Sequence, residues 1–384
     1  MPVFSVVEKN RRLKVVSSFI ESEGLRAIYL PGNSTVGVKS FGFNRYFTDK
    51  RVIFHYMSVV LFSDTDPVAV VNDSMSKLLI VKNSFVGNAV IDEDQINGVI
   101  GILKDRNIES GRIGTVFDIL PAAWFLRLRE ALPNVEFVDV SDELYPVRTI
   151  KSDEEVEVQR ECSAIAVAGY KAVCETAKPG VRESEVVAGM EKAMQSMGAE
   201  ESFALITSGK FGIKDNKLPA LHNCAAYDRV IEEGDVVAVE ITPRYCGYWT
   251  QIVRTICVGE KNKDADEVRK VIVGAIEAVK PLMKAKIRVC DIVRSMREFT
   301  EGAGYMFVMP CGHITAVDLS EEDLTEDNER QLETGMLIVL HPTVITSEMD
   351  TSIFWGESYI ITENGFEEPM KSNNEMYVTP PPTN

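Results

Sequence analysis

Around residue 150 the rhythm of this chain changes, and the change limits the folds open to it. Before that point, helical periodicity alternates with short apolar runs. Residues 6–20 read as a helix, 27–30 as a strand, and 59–62 and 68–71 as strands about the turn Asp64-Thr65-Asp66-Pro67. Residues 96–108 and 122–132 then read as helices, and 113–117 and 135–140 as strands. Such alternation predicts an α/β domain over residues 1–150. Beyond the stretch 144–151, Ser152 with Glu155 forms a capping-box signature for a long helix. Helical stretches now cluster, one ending near Gly198 and others over 266–284 and 291–300. Strand-like runs cluster as well, at 203–207, 236–242, 248–258, 336–345 and 359–362. Segregation of this kind predicts an α+β domain over residues 151–384. A length of 384 residues exceeds one core of ordinary size and agrees with two domains.

Charge narrows the class of partner. Against 58 Asp and Glu stand 41 Lys and Arg, and a net charge of −17 repels phosphate backbones and anionic lipid surfaces. No run reaches the roughly 18 apolar residues of a membrane helix, and the first residues lack a signal-peptide core. The expectation is a cytoplasmic protein with a small-molecule substrate and neither nucleic-acid nor membrane partners. Cys162, Cys174, Cys224, Cys246, Cys257, Cys290 and Cys311 lack the close pairing of a zinc knuckle or redox motif, and read as reduced, mostly buried thiols.

Ionisable residues interrupt apolar runs at three places. Successive strand residues point to opposite faces, so Val236, Ala238, Glu240 and Thr242 share one face, as do Leu337, Val339 and His341, and Glu357 with Tyr359. Either those strands end or meet water there, or the polar groups converge on a pocket, because a buried carboxylate without a partner is expensive. The second reading is expected. Three of the four histidines, His222, His313 and His341, lie in this half beside Gly, Pro or turn residues; the fourth is His55.

The run Gly234-Asp235-Val236-Val237-Ala238-Val239-Glu240, followed by Gly247-Tyr248-Trp249-Thr250-Gln251-Ile252-Val253-Arg254-Thr255, resembles the metallopeptidase pattern GD-x-V-x-x-D…GY-x-x-D-x-x-RT. Residues 148–155, Lys178-Pro179-Gly180, Cys311-Gly312-His313, Gly335-Met336 with His341-Pro342, and Glu357 ahead of Thr362-Glu363-Asn364-Gly365 continue the likeness in order. By these motifs the chain resembles the creatinase/prolidase superfamily. The resemblance implies an α/β creatinase-like N-terminal domain, an α+β pita-bread C-terminal domain and a homodimer. It also implies five ligand positions for two metal ions, two Asp, one His and two Glu. This chain places Glu240, Gln251, His313, His341 and Glu357 there, so the resemblance implies a non-standard set. A neutral amide cannot bridge two cations as a carboxylate does. The second His-Glu-x-Pro element of the peptidases is also replaced, by residues 316–320.

Two chemistries remain open. In the first, which resembles creatinase, no metal is needed: His222 matches the histidine that moves the proton. Glu240 and Glu357 would then hold the substrate by charge-assisted hydrogen bonds, His313 would act beside them, and Gln251, His341 and Tyr248 would contact substrate. The expected reaction is hydrolysis of a carbon–nitrogen bond in a small amide, amidino or related compound. In the second, Glu240, His313, His341 and Glu357 hold one iron, manganese or zinc ion for hydrolysis, lyase or oxygen chemistry. A third alternative is a peptide-binding module without catalysis. Polar replacements at all the altered positions favour an enzyme. Arg254 with Thr255 is expected to brace the hairpin rather than touch substrate.

Overall fold

A computed structural model describes residues 3–32, 42–51, 56–212, 228–345 and 353–380. The chain divides into two compact units, Met1–Arg148 and Thr149–Asn384.

The N-terminal unit runs α1 (Val6–Ser22), β1 (Leu25–Leu30), α2 (Gly42–Thr48), β2 (Val59–Leu61), β3 (Val68–Val71), α3 (Ser74–Asn83), β4 (Asn88–Ile91), α4 (Gln95–Asp105), β5 (Ser110–Thr115), α5 (Ala122–Ala131), β6 (Asn134–Asp139) and α6 (Ser141–Thr149). Its strands lie in the order β4-β3-β2-β1-β5-β6. Pairing is parallel except at β2, which runs antiparallel to β1 and, across the Asp64–Pro67 turn, to β3. Helices start where a side chain satisfies amides that have no partner inside the helix. Ser5 accepts from Glu8 N at 3.2 Å, and Asp73 accepts from Ser76 N at 2.9 Å. Tyr29, Val60, Val70, Val99, Leu103, Ile113 and Leu128 form the core.

Three helices of this unit differ from expectation, the first being α2, which is absent from the expected helices and is buried along its whole length. In α3 only Ile80 is buried, while Met75, Leu78 and Leu79 are exposed, so no apolar stripe marks it in the sequence. The stretch read as a connection is helical as far as Thr149 and carries Pro146 inside the helix, a residue that ordinarily signals a break.

The C-terminal unit opens with α7 (Asp153–Thr176) and α8 (Glu183–Ser196), then β7 (Glu201–Gly209), β8 (Val236–Tyr245), β9 (Tyr248–Trp249) and β10 (Ile252–Val258). After α9 (Lys263–Val279) and α10 (Val289–Gly302) come β11 (Met306–Val308), β12 (Gly312–Thr315), β13 (Glu322–Asp323), β14 (Leu337–Leu340), β15 (Thr343–Ile345), β16 (Gly356–Ile361), β17 (Phe366–Glu367) and β18 (Val378–Thr379). The capping box is present: Ser152 Oγ accepts from Glu155 N at 3.3 Å and Glu155 Oε2 accepts from Ser152 N at 2.7 Å.

The large sheet follows the path β13-β12-β14-β16-β10-β8-β7, with neighbours antiparallel. Ile165, Val186, Met190 and Met194 of α7 and α8 pack on Val237, Val239, Ile241 and Ile256. Val268, Ile272, Ile276, Ile292 and Met296 of α9 and α10 pack on Ile314, Ile338, Leu340 and Ile361. Each such side chain contributes roughly 1.5–3 kcal/mol on burial, and two helix pairs pack on the sheet in this way. Among the described residues six cysteines are free thiols; Cys246 is half-buried and the other five are buried.

Candidate active site

The sheet register aligns the five candidate positions. Glu240 stands opposite Val253, Glu357 opposite both Ile252 and Leu340, and Gly312, beside His313, opposite Leu340. Residues far apart in sequence therefore fall on one line across five adjacent strands. Directly paired residues share a face while successive ones alternate. Glu240 thus sides with Val253, and Glu357 with its neighbour Ile252 on the opposite face.

On the Glu240 side, four side chains meet. Gln251 lies between β9 and β10, where Ser358 Oγ bonds both its backbone N–H and its carbonyl at 3.1 Å. Its Oε1 is 2.9 Å from His313 Nε2. His313 Nδ1 is 2.8 Å from Thr315 Oγ1, which donates to Leu319 O at 2.7 Å. The His341 ring stands edge-on to His313 with centroids 5.4 Å apart, and equally near Phe354. Strand β14 ends at Leu340 because Pro342 has no N–H to donate, and His341 N bonds Cys311 O at 2.9 Å. Among the described residues His341 Nδ1 has no hydrogen-bond partner.

Burial sets the charges here. It pushes the Glu240 carboxyl up to about 7, with the side chains of Thr242 and Gln251 pulling the other way. It pushes His341 down to about 4, so that ring is neutral at physiological pH. Behind the site, Lys151 Nζ donates to Thr149 O at 3.0 Å and to Thr315 O, and burial lowers its pKa to about 7 against the attraction of Glu321 and Glu155.

Glu357 is committed elsewhere. Its Oε2 accepts from Arg254 Nη2 and from Ser372 Oγ. Arg254 also donates to Val253 O at 2.8 Å and Gly356 O at 2.6 Å, and its guanidinium stacks 4.6 Å above the Trp355 ring. Arg254 therefore braces a site carboxylate as well as the hairpin. Tyr248, expected against substrate, is buried with its hydroxyl donated to Glu155. His222 and His55 lie outside the described residues. Thr315, Ser358, Ser372 and Lys151 escaped the sequence reading, although Thr315, two residues from His313 on one strand, shares its face.

As placed, these side chains do not fit a dinuclear metal centre. The Gln251 amide is occupied by His313, the Glu357 carboxylate is neutralised by Arg254, and the two glutamates point to opposite faces. Among the described residues no three His, Cys, Asp or Glu side chains gather closely enough to hold a metal ion. What the arrangement offers is a carboxyl near neutrality and two imidazoles, a set suited to moving protons and binding N–H or C=O groups.

Comparison with known proteins agrees with this architecture. The sequence model of metallopeptidase family M24 matches residues 157–363, and that of the creatinase/prolidase N-terminal domain matches residues 12–150. An Xaa-Pro dipeptidase of Pyrococcus furiosus is 30% identical over 250 residues, covering 63% of this chain and 68% of the relative. A creatinase of a Bacillus species is 25% identical over 389 residues, covering 96% of this chain and 92% of the relative. Among solved structures, an X-Pro aminopeptidase of Thermotoga maritima superposes with a TM-score of 0.82 at 20% identity, over 95% of this chain and 99% of that one. The prolidase of Pyrococcus horikoshii does so with a TM-score of 0.80 at 22% identity, over 96% and 100%. At those identities the structural likeness establishes the fold, a creatinase-type N-terminal domain followed by a pita-bread domain.

Proposed function

This chain belongs to metallopeptidase family M24, with a creatinase/prolidase N-terminal domain, and from that premise we propose that it hydrolyses a carbon–nitrogen bond in a small amide, amidino or related nitrogen compound without a dinuclear metal centre. The observation that carries the reading is the 2.9 Å contact of the Gln251 amide with His313; by the motif resemblance, position 251 corresponds to a family carboxylate. An Xaa-Pro dipeptidase and a creatinase among the relatives bracket the substrate class.

In this mechanism His222 takes a proton from the attacking water and returns it to the leaving nitrogen. Glu240 holds an N–H of the substrate; with its pKa near 7 it is partly ionised at neutral pH. His341, neutral under the same conditions, offers an imidazole nitrogen to orient the substrate. Glu357 serves through Arg254, as the anchor of the strand beside Gln251. A homodimer and a cytoplasmic setting belong to the same proposal; light scattering tests the first.

The deciding experiment pairs metal analysis with turnover. Protein purified without added metal or chelator is assayed on creatine and a panel of Xaa-Pro dipeptides, and its metal content is measured per chain. The expected result is turnover at a metal content far below stoichiometric, abolished in a folded His222→Ala variant. About one equivalent of iron, manganese or zinc, lost together with activity in a Glu240→Ala, His341→Ala double variant, would replace this reading with the mononuclear one. Normal turnover in His222→Ala would remove that residue from the mechanism.

A further inference from the structure

The proposed reaction leaves one proton question inside the site, and its answer lies in a residue the family motifs do not include. Thr315 Oγ1 is 2.7 Å from Leu319 O, an atom that can only accept. The single hydroxyl proton is therefore spent on that carbonyl. The same oxygen lies 2.8 Å from His313 Nδ1, and having given up its proton it can only accept from the ring. Hence Nδ1 must carry a hydrogen. Thr315 has little freedom to do otherwise, since it is fully buried, paired in the sheet with Leu337, and held at its own carbonyl by Lys151 Nζ.

With Nδ1 fixed, Nε2 is the ring nitrogen whose proton can come and go, and it faces Gln251. The two ends of the amide then have distinct consequences. Oxygen toward His313 requires a hydrogen on Nε2 as well as on Nδ1, which makes the ring a cation, and leaves the amide N–H groups for Glu240. Nitrogen toward His313 requires a bare Nε2 and leaves the amide oxygen for Glu240. The orientation of Gln251 and the occupancy of Nε2 are one variable.

We propose that Thr315 is a positioning residue that holds His313 with its hydrogen on Nδ1 and its Nε2 directed at Gln251, so that His313 orients the Gln251 amide toward Glu240 instead of exchanging protons with substrate. The inference rests on the reading of this pocket as one that works through its side chains. It assigns proton exchange with substrate to other groups, and it explains why the site tolerates an amide at position 251: the amide links His313 to Glu240. A bare Nδ1 would leave a buried hydroxyl oxygen and a buried ring nitrogen facing each other without a proton between them, a penalty that disfavours that tautomer by about tenfold or more.

The test uses the full chain labelled with 15N-histidine. There are four histidines in the sequence, so the spectrum is sparse, and loss of one set of signals in His313→Gln assigns the residue. Long-range proton–nitrogen correlation spectra distinguish a hydrogen-bearing ring nitrogen from a bare one. The expected result is a hydrogen-bearing Nδ1 at His313 in the wild type and in Thr315→Ser, with about a tenfold loss of that preference in Thr315→Val. A bare Nδ1 in the wild type would overturn the assignment, as would a Thr315→Val spectrum identical to wild type at His313. Beyond the assigning variant, the wild-type spectrum needs no substrate and no turnover. It therefore answers independently of whether carbon–nitrogen hydrolysis is found, while metal content measured on the same sample tests that reading separately.

Discussion

Replacing Glu240 by Gln keeps the shape and most of the hydrogen bonding of the side chain and removes its ionisation. Burial raises the Glu240 carboxyl from its ordinary 4.5 to about 7. Between those two values the folded chain retains a proton that the unfolded chain has released. The corresponding stability is fully present below pH 4.5 and is lost as the pH rises through 7. Each pH unit within the interval is worth about 1.4 kcal/mol, which brings the whole interval to about 3 kcal/mol. Glu240→Gln should lack this slope. The stability of the variant relative to wild type should therefore grow by about 3 kcal/mol across the interval and stay level at higher pH. Urea unfolding of both proteins, followed by circular dichroism at a series of pH values, measures that difference, and carboxylates common to both cancel from it. Parallel curves would refute the reasoning, because they would mean that Glu240 is as readily ionised in the fold as in the open chain.

Arg254 and Glu357 form a pair in which both side chains are almost completely buried. Arg254→Met strands a carboxylate and should cost about 3–5 kcal/mol, whereas Arg254→Met with Glu357→Leu should recover most of it; a single-variant loss of the size seen for exposed pairs, below about 1 kcal/mol, would show that the carboxylate is solvated. Lys151 is lowered by burial to about 7, so at alkaline pH the unfolded chain binds a proton that the folded chain does not, and stability should rise with pH from about 7 toward 10.5. Lys151→Met should flatten that rise in the same urea series. Gly335 has φ +89°, and a Cβ there would stand 2.4 Å from Lys151 O, so Gly335→Ala should destabilise the C-terminal unit by about 1–3 kcal/mol, read as a lower thermal midpoint.

The sequence carried the elements whose apolar residues are periodic and the site residues that follow motif spacing. Helices α1, α4 and α5 were legible because each buries one stripe, and strands β2, β3 and β8 because each is an apolar run buried on both faces. Helix α3 was not, since its leucines face outward, and α6 was hidden by Pro146. Within the site, spacing named Gln251, His313 and His341, but not the split that sends Glu357 to the other face. That split depends on which residue of β10 pairs with which residue of β16, a one-residue matter of register that spacing along the chain does not contain. Tyr248 reads as a pocket residue by motif and is instead tied to Glu155, a contact between β9 and α7 that only the packed unit reveals. Ser372, beyond every motif, reaches back to Glu357.

That backward reach sets an order of events during synthesis. Arg254 and the Ser372 hydroxyl it meets are 118 positions apart, and β18, which pairs with the end of β10, lies farther on. At a translation rate of about 5–20 residues per second, the guanidinium waits roughly 6–24 s for its serine. Through that time a growing chain has its helices α7 and α8 and the first strands of the sheet, yet a charged group at the centre of that sheet lacks its partners. A nascent chain halted before residue 372 thus holds Arg254 without its serine, and β18, farther on still, is the last strand of the C-terminal unit to pair.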